Sequence, residues 1–169
     1  MGLSPRIEGE EMKVEVKGFS GGDRISLGLP EIQQDLIKKI YSLGKPVVLV
    51  LINGSAVSVN WGKENIPAIL EAWYPGQAAG TAIADILFGD YNPSGRLPVT
   101  FYKSEKDLPD FKDYNMEGKT YRYFRKEPLF EFGYGLSYTT FTYSNFKLPK
   151  EACIGDHVKL SVDVTNKGT

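Results

Sequence analysis

The strongest constraint on the fold is an amphipathic segment followed almost at once by a continuous apolar run. Residues 46–52 are apolar and rich in β-branched side chains, and they end at Asn53, which is the pattern of a strand buried on both faces. Residues 29–43 carry apolar side chains at helical spacing, with Pro30 suited to the first turn and Gly44 to the cap. They predict a helix whose apolar face is formed by Ile32, Leu36, Ile40 and Leu43.

A second cycle of the same kind follows. Residues 68–73 predict a strand, Pro75 and Gly76 interrupt it, and residues 77–87 predict a helix that stops near Gly89. Repeated alternation of strands and helices predicts an α/β fold.

The remainder of the chain has a different pattern. Residues 97–102 are compatible with one more strand, and residues 103–125 are polar, tyrosine-rich and without a clear period, which predicts a long ordered loop. Residues 141–148 and 157–165 then alternate with period two. We therefore predict an α/β domain over 1–137 and the incomplete beginning of an all-β unit over 138–169.

Composition narrows the possible partners. The 169 residues include 20 basic and 21 acidic side chains, for a formal net charge of -1, so nothing in the bulk charge favours nucleic acid or an anionic membrane. The single cysteine and single histidine form no metal-ligand pattern. We expect an uncharged partner and no metal or other cofactor. The first residues lack the apolar core of a signal peptide. The compartment of the intact protein stays open, because a missing N-terminal half would have carried any signal peptide.

Three carboxylates crowd the segment GLSPRIEGEE at residues 2–11, at Glu8, Glu10 and Glu11. Close like charges raise the pKa of at least one carboxyl group, which is how an enzyme keeps a proton donor near neutral pH. A solvated acidic loop is the alternative that these residues alone leave open.

Longer strings around this segment resemble glycoside hydrolase family 3. The resemblance covers nearly the whole chain in family order, and its most specific parts are two long strings. These strings are AWYPGQAAGTAIADILFGDYNPSGRLPVTF at 72–101 and PLFEFGYGLSYTTFTYSNFKL at 128–148, joined by GGDR at 21–24, LPEIQQDLI at 29–37 and GKPVVLVLINGSAVSV at 44–59.

The resemblance implies a three-layer sandwich with a mainly parallel sheet and helices on both faces, followed by the start of a fibronectin-III-like domain. It further implies that the catalytic Asp lies on an N-terminal (β/α)8 barrel absent from this chain, so that the chain alone should be inactive. The acid/base Glu is expected at Glu10, with Glu8 as the alternative. Register is open because Met12–Gly22 intervene before the Asp-Arg pair, as an inserted hairpin would.

Four further residues are candidates for the site. Asp23 and Arg24 could pair with each other or hold the acidic segment through charge-assisted hydrogen bonds. Trp73 lies at the C-terminal end of a predicted strand, where open α/β sheets place ligands, and could stack on a sugar or pack in a core or interface. Tyr134 could reach towards the barrel or pack against the sheet.

The resemblance therefore implies an exo-acting, retaining β-glycosidase that removes terminal β-D-xylosyl or β-D-glucosyl residues from oligosaccharides or β-glycosides. The intact protein is expected in the periplasm or outside the cell. A non-catalytic carbohydrate-binding or assembly module with the same fold is the first alternative. A flavodoxin-like nucleotide-binding domain is the second, and the lack of a G-x-G-x-x-G or P-loop string after a strand counts against it.

Overall fold

The chain combines helices and strands. The computed structural model describes residues 1–4, 15–20 and 23–168. In chain order the described elements are β1 (Phe19–Ser20), β2 (Asp23–Arg24), α1 (Glu31–Tyr41), β3 (Val48–Leu51), α2 (Asn60–Asn65), β4 (Ala68–Glu71), α3 (Ala79–Phe88), a 3-10 helix (Glu105–Asp107), α4 (Thr120–Tyr123), β5 (Phe141–Lys147) and β6 (Ser161–Asn166).

A small parallel sheet lies at the centre of the described domain. β3 and β4 pair in parallel, from Val48 opposite Ala68 to Leu51 opposite Glu71. On the other side of β3, Gly2 forms a parallel bridge with Ile52, so the first residues of the chain extend the sheet. The mixed α/β content and the parallel pairing of the two predicted strands are confirmed.

Helix α1 occupies the predicted segment, but the residue that it buries does not lie on the predicted face. It begins directly after Pro30 and is capped at Ser42, two residues before the expected cap. Ile37 is its buried residue, whereas Ile32 is 79% exposed and Leu43 is 72% exposed. The predicted apolar face was wrong for the described part of the chain, because Ile37 is the helix residue that joins the buried core with Leu49 and Leu51.

Strand β3 is covered on one face rather than on both. Leu49 and Leu51 are buried, but Val48 and Ile52, on the opposite face, are 47% and 40% exposed. Leu49 lines a cavity together with Ile37 of α1. Helix α2 approaches the same side, where a Cβ on Gly62 would lie 3.4 Å from Leu49 Cδ2. The prediction of burial on both faces fails because α1 and α2 cover the same face.

The second predicted cycle agrees with the structure. β4 and α3 fall within one or two residues of their predicted bounds, and α3 ends at Gly89 in the left-handed conformation, with φ of 87°, which glycine adopts without steric cost.

The predicted strand at 97–102 is an extended segment that pairs only locally. Phe101 forms an antiparallel bridge with Phe130, and Leu97 N donates to Tyr134 O at 2.9 Å. The predicted loop at 103–125 contains the 3-10 helix and α4.

The C-terminal strands form an antiparallel hairpin. β5 and β6 pair from Phe141 opposite Asn166 to Lys147 opposite Ser161, with an irregularity after Ser144. Both strands are exposed along their whole length. The two predicted strands are therefore present, although β6 begins at Ser161 rather than at His157.

Candidate functional site

Three segments of the parallel sheet end at the same edge. Asn53 follows β3, Trp73 follows β4, and Leu3 ends the paired N-terminal segment. In a parallel sheet these carboxyl ends meet at one edge, which is where open α/β sheets bind ligands. We call this region the carboxyl edge.

A buried amide and a carboxylate join the two strand ends. Asn53 is 0% exposed, and its Nδ2 donates to Ser55 O at 2.9 Å and to Glu71 Oε2 at 3.3 Å. The other carboxylate oxygen, Glu71 Oε1, accepts from Trp73 N at 3.1 Å. Glu71 thus fixes the backbone that carries Trp73 relative to the end of β3.

The first two residues of the acidic segment, Gly2 and Leu3, are held on this edge. Gly2 exchanges two 2.8 Å hydrogen bonds with Gln33 of α1, its N donating to Gln33 Oε1 and its O accepting from Gln33 Nε2. The Tyr74 hydroxyl donates to Leu3 O at 2.8 Å. Gly2 has φ of 145°, and a Cβ there would lie 1.9 Å from Ile52 O, so only glycine fits this close approach.

The residues after the acidic segment return to the same edge through Arg24. One guanidinium nitrogen, Nη1, donates to Ser55 Oγ at 2.6 Å and to Ala56 O at 3.2 Å. The other, Nη2, donates to Leu27 O at 2.8 Å. The planar fork of arginine suits several acceptors at once. The guanidinium group of Arg24 therefore connects β2 to the segment that follows β3.

The two candidate acids themselves, Glu8 and Glu10, lie outside the described residues. Asp23 is exposed and stands opposite Ser20 in the β1–β2 pair. Phe19 pairs with Arg24 in the same antiparallel pair, whereas most of the hairpin expected within Met12–Gly22 lies outside the described residues. The structure therefore holds the first residues of the acidic segment, Gly2 and Leu3, and the later residue Arg24 at the carboxyl edge.

Trp73 and Tyr134 belong to one series of aromatic side chains. Trp73 packs edge-to-face against Phe101 with ring centroids 6.0 Å apart, Phe101 lies 6.2 Å from Phe130, and Phe130 lies 5.2 Å from Tyr134. Phe101 is buried, Trp73 is partly buried, and Tyr134 is 43% exposed. The series links the end of β4 to the segment around Tyr134 through the core.

One ionisable group beside Arg24 has a clearly altered pKa. Glu105 Oε1 accepts from Leu27 N at 2.6 Å. Its own backbone N–H, the Ser26 hydroxyl and Leu27 N–H lower the pKa of Glu105, and the charge of Arg24 lowers it further, while burial opposes the shift. Glu105 thus stays ionised and holds the segment that follows Arg24.

Sequence reasoning missed four residues of this edge: Gln33, Asn53, Glu71 and Tyr74. A polar Asn directly after an apolar strand was the available signal for Asn53. Gln33 and Tyr74 gave no such signal, because their partners lie 31 and 71 positions away in the sequence.

Two absences hold for the part of the chain that the structure describes. Within 1–4, 15–20 and 23–168, no group of three His, Cys, Asp or Glu side chains is placed to hold a metal ion. None of the described helices has the length and apolar character needed to cross a membrane.

Fold and edge together define a mixed α/β domain whose carboxyl edge holds the start of an acidic segment. The chain belongs to glycosyl hydrolase family 3, because the model of that family's C-terminal domain matches residues 1–138.

Curated relatives carry glycosidase names. The chain is 51% identical over 168 residues to a xylan 1,4-beta-xylosidase of Xylanibacter ruminicola, covering 99% of this chain and 19% of that protein. It is 43% identical over 177 residues to a periplasmic beta-glucosidase of Salmonella typhimurium, covering 94% of this chain and 23% of that protein. The chain thus spans about a fifth of the length of these relatives.

Solved structures of the family are similar in fold. Beta-glucosidase 3B from Thermotoga neapolitana matches with a TM-score of 0.75 and 34% identity, over 92% of this chain and 24% of that one. The GH3 exo-beta-xylosidase XlnD, solved with a xylobiose aziridine probe, matches with a TM-score of 0.67 and 37% identity, over 75% of this chain and 18% of that one.

Proposed function

We propose that this chain forms part of a retaining, exo-acting β-glycosidase that removes terminal β-D-xylosyl or β-D-glucosyl residues. The observation that carries the proposal is that Gln33 and Tyr74 hold the start of the acidic segment at the carboxyl edge, to which Arg24 returns the chain after it. A general acid must be held within hydrogen-bond reach of the leaving oxygen. An acidic segment held at a ligand-binding edge serves that need.

In this proposal the acidic segment supplies the acid/base carboxyl, at Glu10 or, in the alternative register, at Glu8. The nucleophile is an Asp on an N-terminal (β/α)8 barrel of the same enzyme. Retaining hydrolysis needs the two carboxyl groups about 5–5.5 Å apart, one attacking the anomeric carbon and the other protonating the leaving oxygen and later activating water.

The substrate class follows the names of the relatives. A xylosidase shares 51% identity with the chain and a glucosidase shares 43%, so we favour β-xylosides over β-glucosides. The periplasmic name of the Salmonella relative supports a periplasmic or extracellular location for the intact protein.

The proposal extends to the architecture. Residues 1–137 form a three-layer sandwich with a mainly parallel sheet and helices on both faces. The exposed β5–β6 hairpin is the start of a fibronectin-III-like domain over 138–169, because two strands alone cannot bury a core.

The test uses the full-length enzyme with Glu10→Ala and Glu8→Ala. The variant that lacks the general acid should lose about 10²–10⁴-fold in rate on substrates with poor leaving groups, and much less on activated aryl glycosides, which depart without protonation. Azide should restore its turnover and give a β-glycosyl azide with retained configuration.

The second variant is the matched control. Rescue of Glu8→Ala alone would move the acid/base role to Glu8. Wild-type behaviour of both variants would remove the catalytic role from this segment, and sugar binding without turnover by the full-length protein would favour the non-catalytic module.

A further inference from the structure

One dipeptide of the sequence has a chemical reactivity that the proposed function does not use. Asn53 is followed directly by Gly54, and no other asparagine of the chain precedes a glycine. The backbone nitrogen after an asparagine can attack the carbon of the side-chain amide. Glycine favours this attack because it has no side chain and its backbone moves freely. Asn53 is therefore the asparagine of this sequence that is most susceptible to deamidation.

Deamidation takes two steps, with water as the co-reactant and without oxidation or reduction. In the first step the Gly54 backbone nitrogen bonds to Asn53 Cγ, and the bond from Cγ to Nδ2 breaks. The proton of the attacking nitrogen leaves with Nδ2 as ammonia, and a five-membered succinimide ring remains. In the second step water adds to either ring carbonyl and opens the ring. The product is a carboxylate, either on the normal backbone or as the isoaspartate isomer.

The folded structure holds the leaving amide in place. Asn53 is 0% exposed, and its Nδ2 donates to Ser55 O at 2.9 Å and to Glu71 Oε2 at 3.3 Å. These two bonds restrict the side-chain rotation that brings Cγ into line with the attacking nitrogen. Burial also keeps the amide away from the water that the second step consumes.

The surroundings of the amide oxygen oppose the attack as well. The attack places negative charge on Asn53 Oδ1, and donors aimed at such a developing charge would lower the barrier. Oδ1 is buried and accepts no hydrogen bond from any residue within the described part of the chain. The carboxylate of Glu71 is bonded to the same amide, so a like charge lies close. The folded state therefore raises the barrier to the first step.

The product cannot resume the place of the amide. A carboxylate at position 53 donates to neither the Glu71 carboxylate nor the Ser55 carbonyl, which both accept from Nδ2 in the native fold. Burying it there leaves two like charges side by side. The isoaspartate isomer would in addition lengthen the backbone directly after β3. Deamidation in an open state therefore blocks the return to the native fold.

We propose that the Asn53-Gly54 pair is a deamidation site that the folded carboxyl edge protects and that opening of this edge exposes. Reaction in the open state makes the loss of the fold irreversible. The inference does not depend on the proposed function, because it concerns the chemistry of the chain itself. Alkaline pH should speed the reaction, since the attacking nitrogen must lose its proton.

Peptide mapping by mass spectrometry tests the protection. The 169-residue chain is incubated at pH 8 in native buffer and in urea above its unfolding transition, and deamidation of each asparagine is followed with time. Asn53 should react fastest of all asparagines in urea and at least about tenfold more slowly in native buffer, because only the open fraction reacts. The exposed Asn115 is the control and should react at similar rates in both. Equal rates for Asn53 in both, or a faster asparagine in urea, would overturn the proposal.

Two variants separate the chemistry from its protection. Gly54→Ala should slow the reaction at Asn53 severalfold in urea, where the fold of the variant has no influence. An unchanged rate would exclude the nitrogen of residue 54 as the attacking group. Glu71→Ala removes one bond to Nδ2 and should speed the reaction in native buffer about three- to tenfold, as loss of one hydrogen bond does. The exposed Glu117→Ala is its control, and equal native rates in both variants would exclude Glu71 from the protection.

Refolding links the reaction to the loss of the fold. After increasing times in urea at pH 8, the refolded fraction measured by circular dichroism after dilution should fall in step with deamidation at Asn53. At pH 5, where the attacking nitrogen keeps its proton, the refolded fraction should stay constant over the same times. Full refolding of a chain that is deamidated at this position would overturn the proposed irreversibility.

Discussion

The amide of Asn53 and the carboxylate of Glu71 meet at 3.3 Å across the ends of two parallel strands. The amide is fully buried, and its nitrogen also donates to Ser55 O. An acceptor at this position would face a carboxylate and a carbonyl. The donor nitrogen of the Asn53 amide, rather than the shape of the side chain, therefore joins the two strand ends.

Asn53→Asp tests this relationship. It replaces the donor with a second carboxylate beside Glu71, and we expect a loss of about 2–4 kcal/mol in unfolding free energy at pH 7, because a buried charge is left beside a like charge. Repulsion and burial raise the pKa of the introduced group in the folded state. The loss should therefore shrink as the pH falls through that raised pKa towards 4.

Urea unfolding from pH 4 to 8 measures this dependence. Asn115→Asp is the control, because that side chain is exposed and the substitution should change stability little. A loss for Asn53→Asp that stayed constant across the pH range would argue against charge repulsion as its cause.

Arg24→Ala should loosen the chain after the acidic segment. It removes hydrogen bonds to Ser55 Oγ, Ala56 O and Leu27 O, and we expect a loss of about 1–3 kcal/mol because partly buried carbonyls lose a charged donor. Hydrogen exchange should rise at residues 24–28. Arg24→Lys should recover only part of the stability, since one ammonium cannot reproduce the fork. Full recovery would show that charge alone matters.

Gly2→Ala should detach the N-terminal segment from β3. The added methyl group would lie 1.9 Å from Ile52 O at a φ of 145°, so the segment must shift and lose its bonds to Ile52 and Gln33. We expect a loss of about 2 kcal/mol or more in thermal unfolding, of the size typical for strained backbone positions.

Gly80→Ala is the matched substitution within α3, where nothing lies within 4 Å of the added group. It should stabilise the chain by up to about 1 kcal/mol because alanine favours a helix. Similar losses for the two variants would contradict the close approach at Gly2.

Glu105→Gln should alter the response to acid. The pKa of Glu105 is lowered in the folded state from an ordinary value of 4.5, so its charge stabilises the fold above that value, and the contribution is lost as the pH falls through the lowered pKa. The side chain is exposed and screened by solvent, so we expect about 0.5–1 kcal/mol at pH 7. Below about pH 4 the difference between wild type and Glu105→Gln should fade.

Urea titrations at pH 3–7 follow this difference, with the exposed Glu117→Gln as the control for removing one surface charge. A difference for Glu105→Gln that grew on acidification would reverse the sign argued here.

The sequence by itself determined the local elements and the family. Helix and strand periods, and stop residues such as Gly89, act between near neighbours in the sequence. The sequence therefore predicts the secondary structure of segments 29–43, 46–52, 68–73 and 77–87. The family resemblance likewise rests on continuous strings of the sequence. The acidic segment could also be selected as the catalytic candidate, because its carboxylates lie close together along the chain.

Only the tertiary structure decided which faces are covered and which polar groups meet. Ile37 rather than Ile32 is buried in the core, although both lie in one helix, because burial depends on where the rest of the core lies. Gln33 and Tyr74 converge on residues 2 and 3 across 31 and 71 positions. No periodic pattern encodes such contacts, since they arise when separate strand ends are brought to one edge by pairing in a parallel sheet.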